Sequence, residues 1–167
     1  TDMPQTEVHN LNEELAKQLP ATAYYNLYGY LDVGYGVRTE KDGKYAYLRK
    51  AADLGSREAQ YTVAEILFDI EDKEESQEAF KYRLDLVEQL RTCASEQGLG
   101  DASSNLGSSF KLSKKYAEAV KSYHQGVKNG DSISASVLKR AFSQKTSKDS
   151  FDFLDLALDE ERSRRYD

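Results

Sequence analysis

Three glycines, Gly55, Gly98 and Gly130, set the frame into which this chain must fold. Four residues before each stands a small residue (Ala51, Ala94, Gly126), and four after each stands another (Ala59, Ala102, Ser134). Eight after comes an aliphatic (Val63, Leu106, Leu138), and twelve after a larger apolar residue (Leu67, Phe110, Phe142). The same pattern runs back to Ala23, Leu27 and Leu31, so units begin at 23, 59, 102 and 134, spaced 36, 43 and 32 residues apart. Steps of four along small, aliphatic and large positions place those side chains on one helix face. Periods of this size belong to helix-pair repeats, in which each unit buries its apolar face only against its neighbours. The glycines fit the left-handed residue that stops a helix, where a Cβ is costly.

The spacing predicts helices at about 6–18, 21–33, 40–54, 57–70, 74–96, 101–112, 115–128, 132–143 and 150–163. Residues 1–20 read as an N-terminal capping helix with Val8, Leu11 and Leu15 on one stripe. Residues 21–143 read as about four helix pairs, and 144–167 as a polar linker followed by a C-terminal helix carrying Phe151, Leu154 and Leu158 on one face. The second unit is irregular, since Ile70 to Gln77 has no glycine turn and its second helix is long. The expected fold class is therefore all-α, in one repeat domain.

Composition narrows the function. The 167 residues carry a formal charge of −6, which argues against binding a phosphate backbone by bulk charge. No apolar run approaches the roughly 18 residues of a spanning helix, so no transmembrane segment is expected. One cysteine, Cys93, excludes an internal disulfide framework and any cysteine-rich metal site. Its position beside Ala94 reads as a buried structural thiol.

Residues that could carry chemistry read better as structure. His9 and Glu13 have a ligand-like i, i+4 spacing but no third ligand nearby, so no metal and no cofactor are expected. Asp152, Asp155 and Asp159 would line one face of the last helix; a solvated face is the better reading, with an acid–base enzyme as the remote one. Gly34-Tyr35-Gly36 is not followed by the lysine of a phosphate loop and reads as a turn between helices.

Tyrosine is the informative residue. The chain has 12 Tyr and no Trp, and Tyr24, Tyr25, Tyr28, Tyr30 and Tyr35 crowd the first unit. One helix cannot bury them all, and tyrosine suits interfaces because an apolar ring ends in a polar tip.

The segment Ala23-Tyr-Tyr-Asn-Leu27-Tyr-Gly-Tyr-Leu31-Asp-Val-Gly34-Tyr-Gly36-Val37 resembles the first half of a Sel-one-like repeat, a variant of the tetratricopeptide repeat. Lys50-Ala51-Ala52-Asp-Leu-Gly55-Ser-Arg-Glu-Ala59-Gln60-Tyr61 is similar to the second half and the next start. The third unit keeps Leu106-Gly107 and Tyr116-Ala117-Glu118-Ala119 and resembles a plain tetratricopeptide unit. The resemblance covers roughly residues 21–143. It implies a right-handed α-solenoid of antiparallel helix pairs that binds other proteins and has no catalytic residues. Small acidic bacterial members of the family, many of them lipoproteins or secreted, include immunity proteins against phospholipase-type effectors of type VI secretion. The tail Leu158 to Tyr166 is similar to that of some of those chains.

The family geometry puts first helices on the concave face. Carried onto this sequence, it offers Tyr25, Asp32 and Val33, then Glu58, Tyr61, Glu65 and Asp69, then Ser104, Ser108 and Lys111 as partner-binding residues. The partner expected is a protein, a secreted effector with a basic surface near its active site, and not a nucleic acid. The alternative is a general scaffold or adaptor of a signalling or envelope complex. The resemblance points to the periplasm and is compatible with a lipid anchor on a precursor, since a chain that opens at Thr1 reads as either processed or trimmed; one cysteine is equally compatible with the cytoplasm.

Overall fold

Five of the described helix ends share one hydrogen-bond pattern. Gly55 N–H donates to Ala52 O and Ser56 N–H to Ala51 O, and the same pair of bonds recurs at Gly34 and Tyr35, at Gly98 and Leu99, at Lys114 and Lys115, and at Gly130 and Asp131. This is the Schellman closure, which needs a left-handed residue at its first position. Gly55, Gly98 and Gly130 supply it with φ of 90°, 94° and 81°, as the sequence predicts. Gly34 supplies it at φ 75°, and the fifth site is held by Lys114 at φ 58°.

The computed structural model describes residues 20–35, 42–148, 150 and 152–166. Its elements are helices: α1 Pro20–Asp32, α2 Gly43–Asp53, α3 Arg57–Phe68, α4 Gln77–Glu96, α5 Gly100–Leu112, α6 Tyr116–Lys128, α7 Ser132–Ser143 and α8 Glu160–Arg164. No strand occurs among the described residues, so the all-α class and the alternation of helix pairs stand. The predicted helix at 6–18, with Val8, Leu11, Leu15, His9 and Glu13, lies outside the described residues. The chain forms two compact units, Thr1–Leu90 and Arg91–Asp167, and the division falls within α4.

In the first unit α1 packs on α2 and α2 on α3. Pro20 opens α1 where a missing N–H costs nothing. Ala23 and Leu27 are buried on α1, and Leu48, Ala51 and Ala59 form a cluster against which Tyr24, Tyr25, Tyr28 and Val63 pack. Ser56 caps α3 by accepting the Ala59 N–H at 3.1 Å. The turn without glycine between α3 and α4 is closed by side chains. Asp72 accepts the Glu74 N–H at 2.9 Å, and Ser76 caps α4 through the Ala79 N–H at 3.2 Å. Arg83 reaches back to Leu67 O at 2.6 Å while gripping both Glu75 oxygens at 2.9 and 2.6 Å. That grip holds the Glu75 carboxyl below the usual range.

In the second unit α5 packs on α6, α6 on α7, and α7 on α8. The core is Ala119, Tyr123, Leu138, Ala141, Phe142 and Leu154. A polar network ties the end of α4 to α5 and α6. Ser95 and Ser103 hydroxyls lie 2.7 Å apart, and Asn129 Nδ2 donates to Ser95 O at 2.8 Å and Ser103 Oγ at 3.0 Å. Helices α6 and α7 approach so closely at Gly126 that a Cβ there would stand 2.7 Å from Ser134 Cβ.

Two expectations are corrected. The predicted C-terminal helix 150–163 does not form as such, because residues 153–159 run without helix and only Glu160–Arg164 is helical. The apolar residues here work as a strap across the core rather than as a helix face. Phe153 meets Tyr116 edge-on at 5.1 Å, Leu154 is buried, and the Asp159 N–H bonds Phe142 O at 2.9 Å. Leu158, expected inside, is exposed. Asp155 sits at φ 54°, which breaks any helix through it, and the cap moves to Asp159, which accepts the Arg162 N–H at 2.9 Å. The carboxylates Asp152, Asp155 and Asp159 therefore share no helix face. Cys93, expected to be buried, is exposed: Ala94 and Ser95 turn inward and carry the packing, which leaves residue 93 on the outer side of α4.

Candidate partner-binding faces

The first unit gathers tyrosines on α1 and α2. Tyr24 stacks on Tyr47 with centroids 6.1 Å apart, Tyr25 on Tyr28 at 6.2 Å, and Tyr28 leans on Tyr45 at 6.4 Å. Tyr30 and Tyr35 pair at 6.2 Å. Two ammonium groups lie over the rings, Lys50 at 4.4 Å from Tyr24 and Lys44 at 5.1 Å from Tyr45. Burial, with the Asp32 charge behind it, pushes the Tyr28 hydroxyl above its ordinary range. Tyr45, Tyr47, Lys44 and Lys50 were not singled out from the sequence. Their signal was faint, since α2 contributes only two of its tyrosines and these stand two residues apart, away from the repeat frame.

The residues carried over from the family pattern take different places. Tyr25 joins α1 to α3, its hydroxyl 3.3 Å from Thr62 Oγ1, which itself donates to Glu58 O at 2.8 Å. Asp32 is held by Lys44 at 2.6 Å, and Val33 beyond it is 77% exposed. Glu58, Tyr61 and Glu65 are half-buried along α3, and Asp69 is exposed at its C-terminal end. Burial pushes Glu58 up, but hydrogen bonds from Arg57 at 2.8 Å and Ser56 at 3.4 Å outweigh it, so the carboxyl stays below its usual range. Glu58, Thr62, Glu65 and Asp69 recur at steps of three and four and share one side of α3.

In the second unit, Ser104 is buried with its hydroxyl donated to Asp101 O at 3.1 Å. Ser108 lies 3.2 Å from the Tyr123 hydroxyl. Lys111 is only 7% exposed, and burial holds its ammonium below the ordinary lysine range. These three are more deeply set than a helix-face count predicts, because α5 is packed on α6 along that side.

Among the described residues, no group of three or more His, Cys, Asp or Glu could hold a metal ion. Among them, too, no helix is long and apolar enough to cross a membrane.

No family model matches the chain, and no curated protein matches it. Solved structures do. The immunity protein Pa5087 from Pseudomonas aeruginosa superimposes with a TM-score of 0.59 at 20% identity, over 99% of this chain and 73% of that one. Pseudomonas aeruginosa PA5086 gives 0.63 at 23% identity, over 94% of this chain and 55% of that one. The immunity protein PA5088 from Pseudomonas aeruginosa gives 0.57 at 17% identity, over 94% and 69%. At these identities the likeness is one of fold, and it extends over nearly all of this chain.

Proposed function

We propose that this chain is a bacterial immunity protein, a non-catalytic binder that neutralises a toxic protein by covering its active site or substrate entry. The observation that carries the reading is the fold shared over 99% of the chain with immunity protein Pa5087 and over 94% with PA5088. The first unit supplies a fitting surface. Tyr25 and Tyr61 are the anchors, and Asp32, Glu58, Glu65 and Asp69 meet basic residues of the partner, with Val33 at the edge. Ser104, Ser108 and Lys111 are the proposed contact residues of the second unit. Carboxylates on such a face speed encounter more than they add affinity. A pre-formed helical surface loses little entropy on binding.

The finer parts of the proposal rest on the resemblance to Sel-one-like chains. They are a phospholipase-type effector delivered by type VI secretion and action in the periplasm.

The test is rescue. The gene beside this one is expressed in a bacterial host with and without the chain. Growth arrest by the neighbour alone, relieved by co-expression, supports the proposal. Glu65→Lys with Asp69→Lys should abolish relief while leaving the melting temperature within about 2 °C. A neighbour that is harmless, or whose toxicity is untouched, overturns the immunity reading. Stable complexes with several unrelated proteins and no rescue would favour the scaffold reading instead.

A further inference from the structure

We propose that the α3–α4 turn of the first unit is a docking surface for a basic amphipathic segment of a partner protein, one that presents apolar side chains flanked by lysine or arginine. Three large apolar side chains stand open to solvent there. Phe68 and Phe80 are each 47% exposed, and Ile70 is 42% exposed. Phe68 ends α3, Ile70 lies just beyond it, and Phe80 stands near the start of α4.

One guanidinium draws these ends together. Arg83 Nη1 donates to Leu67 O at 2.6 Å, in the last turn of α3, while Arg83 Cζ lies 5.2 Å from the centre of the Phe80 ring. The same side chain grips Glu75, so the ring rests on a group that is itself anchored twice. An anchor ordered before the partner arrives loses less entropy on binding. Closure of the turn explains none of the three apolar residues. Arg83, Asp72 and Ser76 close it through polar bonds, and each accepts from or donates to a backbone group. Apolar surface gathered in one place and left in water marks a contact site.

Charge decides the occupant. Residues 69–83 hold six carboxylates against Lys73, Lys81 and Arg83, a formal −3 in a chain whose total is −6. Asp69, Glu71, Asp72, Glu74 and Glu78 are all exposed, whereas Arg83 is half-buried and turned to Glu75. Such a rim repels nucleic acid and anionic lipid, and in a self-pair it would set like charge against like. It attracts lysine and arginine. The apolar centre narrows the choice further, because a purely polar cation would leave Phe68, Ile70 and Phe80 in water. The inference goes beyond the immunity reading. Its test uses peptides and no toxin, so either can fail alone.

The full chain is titrated by NMR with three peptides. The first is two copies of Leu-Lys-Lys-Leu-Leu-Lys-Leu, the second carries Glu for each Lys, and the third carries Ser for each Leu. The first should bind at least tenfold tighter than either of the others and shift the amides of Ile70, Glu74 and Phe80. Phe80→Gln and Ile70→Ser, both at exposed sites, should each weaken it at least threefold. Glu71→Lys with Glu74→Lys should weaken it at least tenfold. Glu96→Lys with Glu118→Lys makes the same change of charge at exposed carboxylates elsewhere and should alter binding less than twofold. Equal loss in the two charge-reversed variants overturns the proposal, since bulk charge would then be the attraction. No binding of the first peptide overturns it, as does comparable binding of the second or third, or no effect of both Phe80→Gln and Ile70→Ser. Sedimentation of the free chain supplies the remaining outcome: a dimer that Phe80→Gln dissociates would mean that a second copy covers this surface, and would overturn the proposal.

Discussion

The ring of Tyr123 occupies the space that a side chain at residue 107 would need. A Cβ on Gly107 would stand 2.7 Å from Tyr123 Cε1 and 2.8 Å from Cδ1. Tyr123 is 1% exposed and anchors the second unit's core, so the ring has nowhere to retreat. Gly107→Ala should destabilise the chain by about 1–3 kcal/mol, the usual cost of overpacking. Urea unfolding followed by circular dichroism checks this; an unchanged midpoint would show that the ring yields.

Ser134 gives the opposite sign. Its hydroxyl is buried with no hydrogen-bond partner among the described residues. A buried unpaired hydroxyl costs roughly 1–3 kcal/mol, and alanine is a better helix former. Ser134→Ala should leave stability unchanged or raise it by about 1 kcal/mol. A clear loss in the melting temperature would mean that the hydroxyl has a partner.

The helix stops yield a paired test. A Cβ on Gly55 meets nothing within 4 Å, so only the backbone at φ 90° resists it. Gly55→Val should cost about 1 kcal/mol or more. Lys114→Gly relieves strain at φ 58° and should gain up to about 1 kcal/mol. Thermal melts of both variants check the two signs.

His124 predicts a pH effect. Its Nδ1 lies 3.1 Å from the Tyr166 hydroxyl. Burial, then the charges of Arg162 and Lys128, hold its pKa below the ordinary histidine value of 6.5. Below that value the unfolded chain takes up a proton that the folded chain refuses, so stability falls as the solution is acidified. The loss should begin near pH 6.5 and level off once the folded pKa is passed. Melting temperatures from pH 7 to pH 5 should drop less steeply in His124→Gln than in the parent.

Much of the fold was legible because one backbone requirement repeats. A helix must stop where the next begins, and glycine marks four of those stops, Gly34 among them, while alanines mark the close approaches around them. What escaped the frame depends on side chains reaching across it. The α3–α4 turn closes through Arg83, eight residues from Glu75 and sixteen from Leu67, a reach with no periodic signature. The C-terminal strap imitates a helix because Leu154 and Leu158 stand four apart; only the core it crosses decides that Leu154 goes in and Leu158 stays out. Of the surface residues chosen by family geometry, those on α3 fall on one side of one helix. Those on α5 sink because that side of α5 packs on α6, where the Tyr123 ring fills the space beside Gly107.

The outward turn of Cys93 gives the molecule a chemically unique address. With one thiol in the whole chain, and that one in contact with solvent, a maleimide dye attaches at a single place and in a fixed ratio. The same atom is the chain's own means of forming a covalent dimer, so air oxidation should yield a crosslinked pair that a reductant returns to monomers.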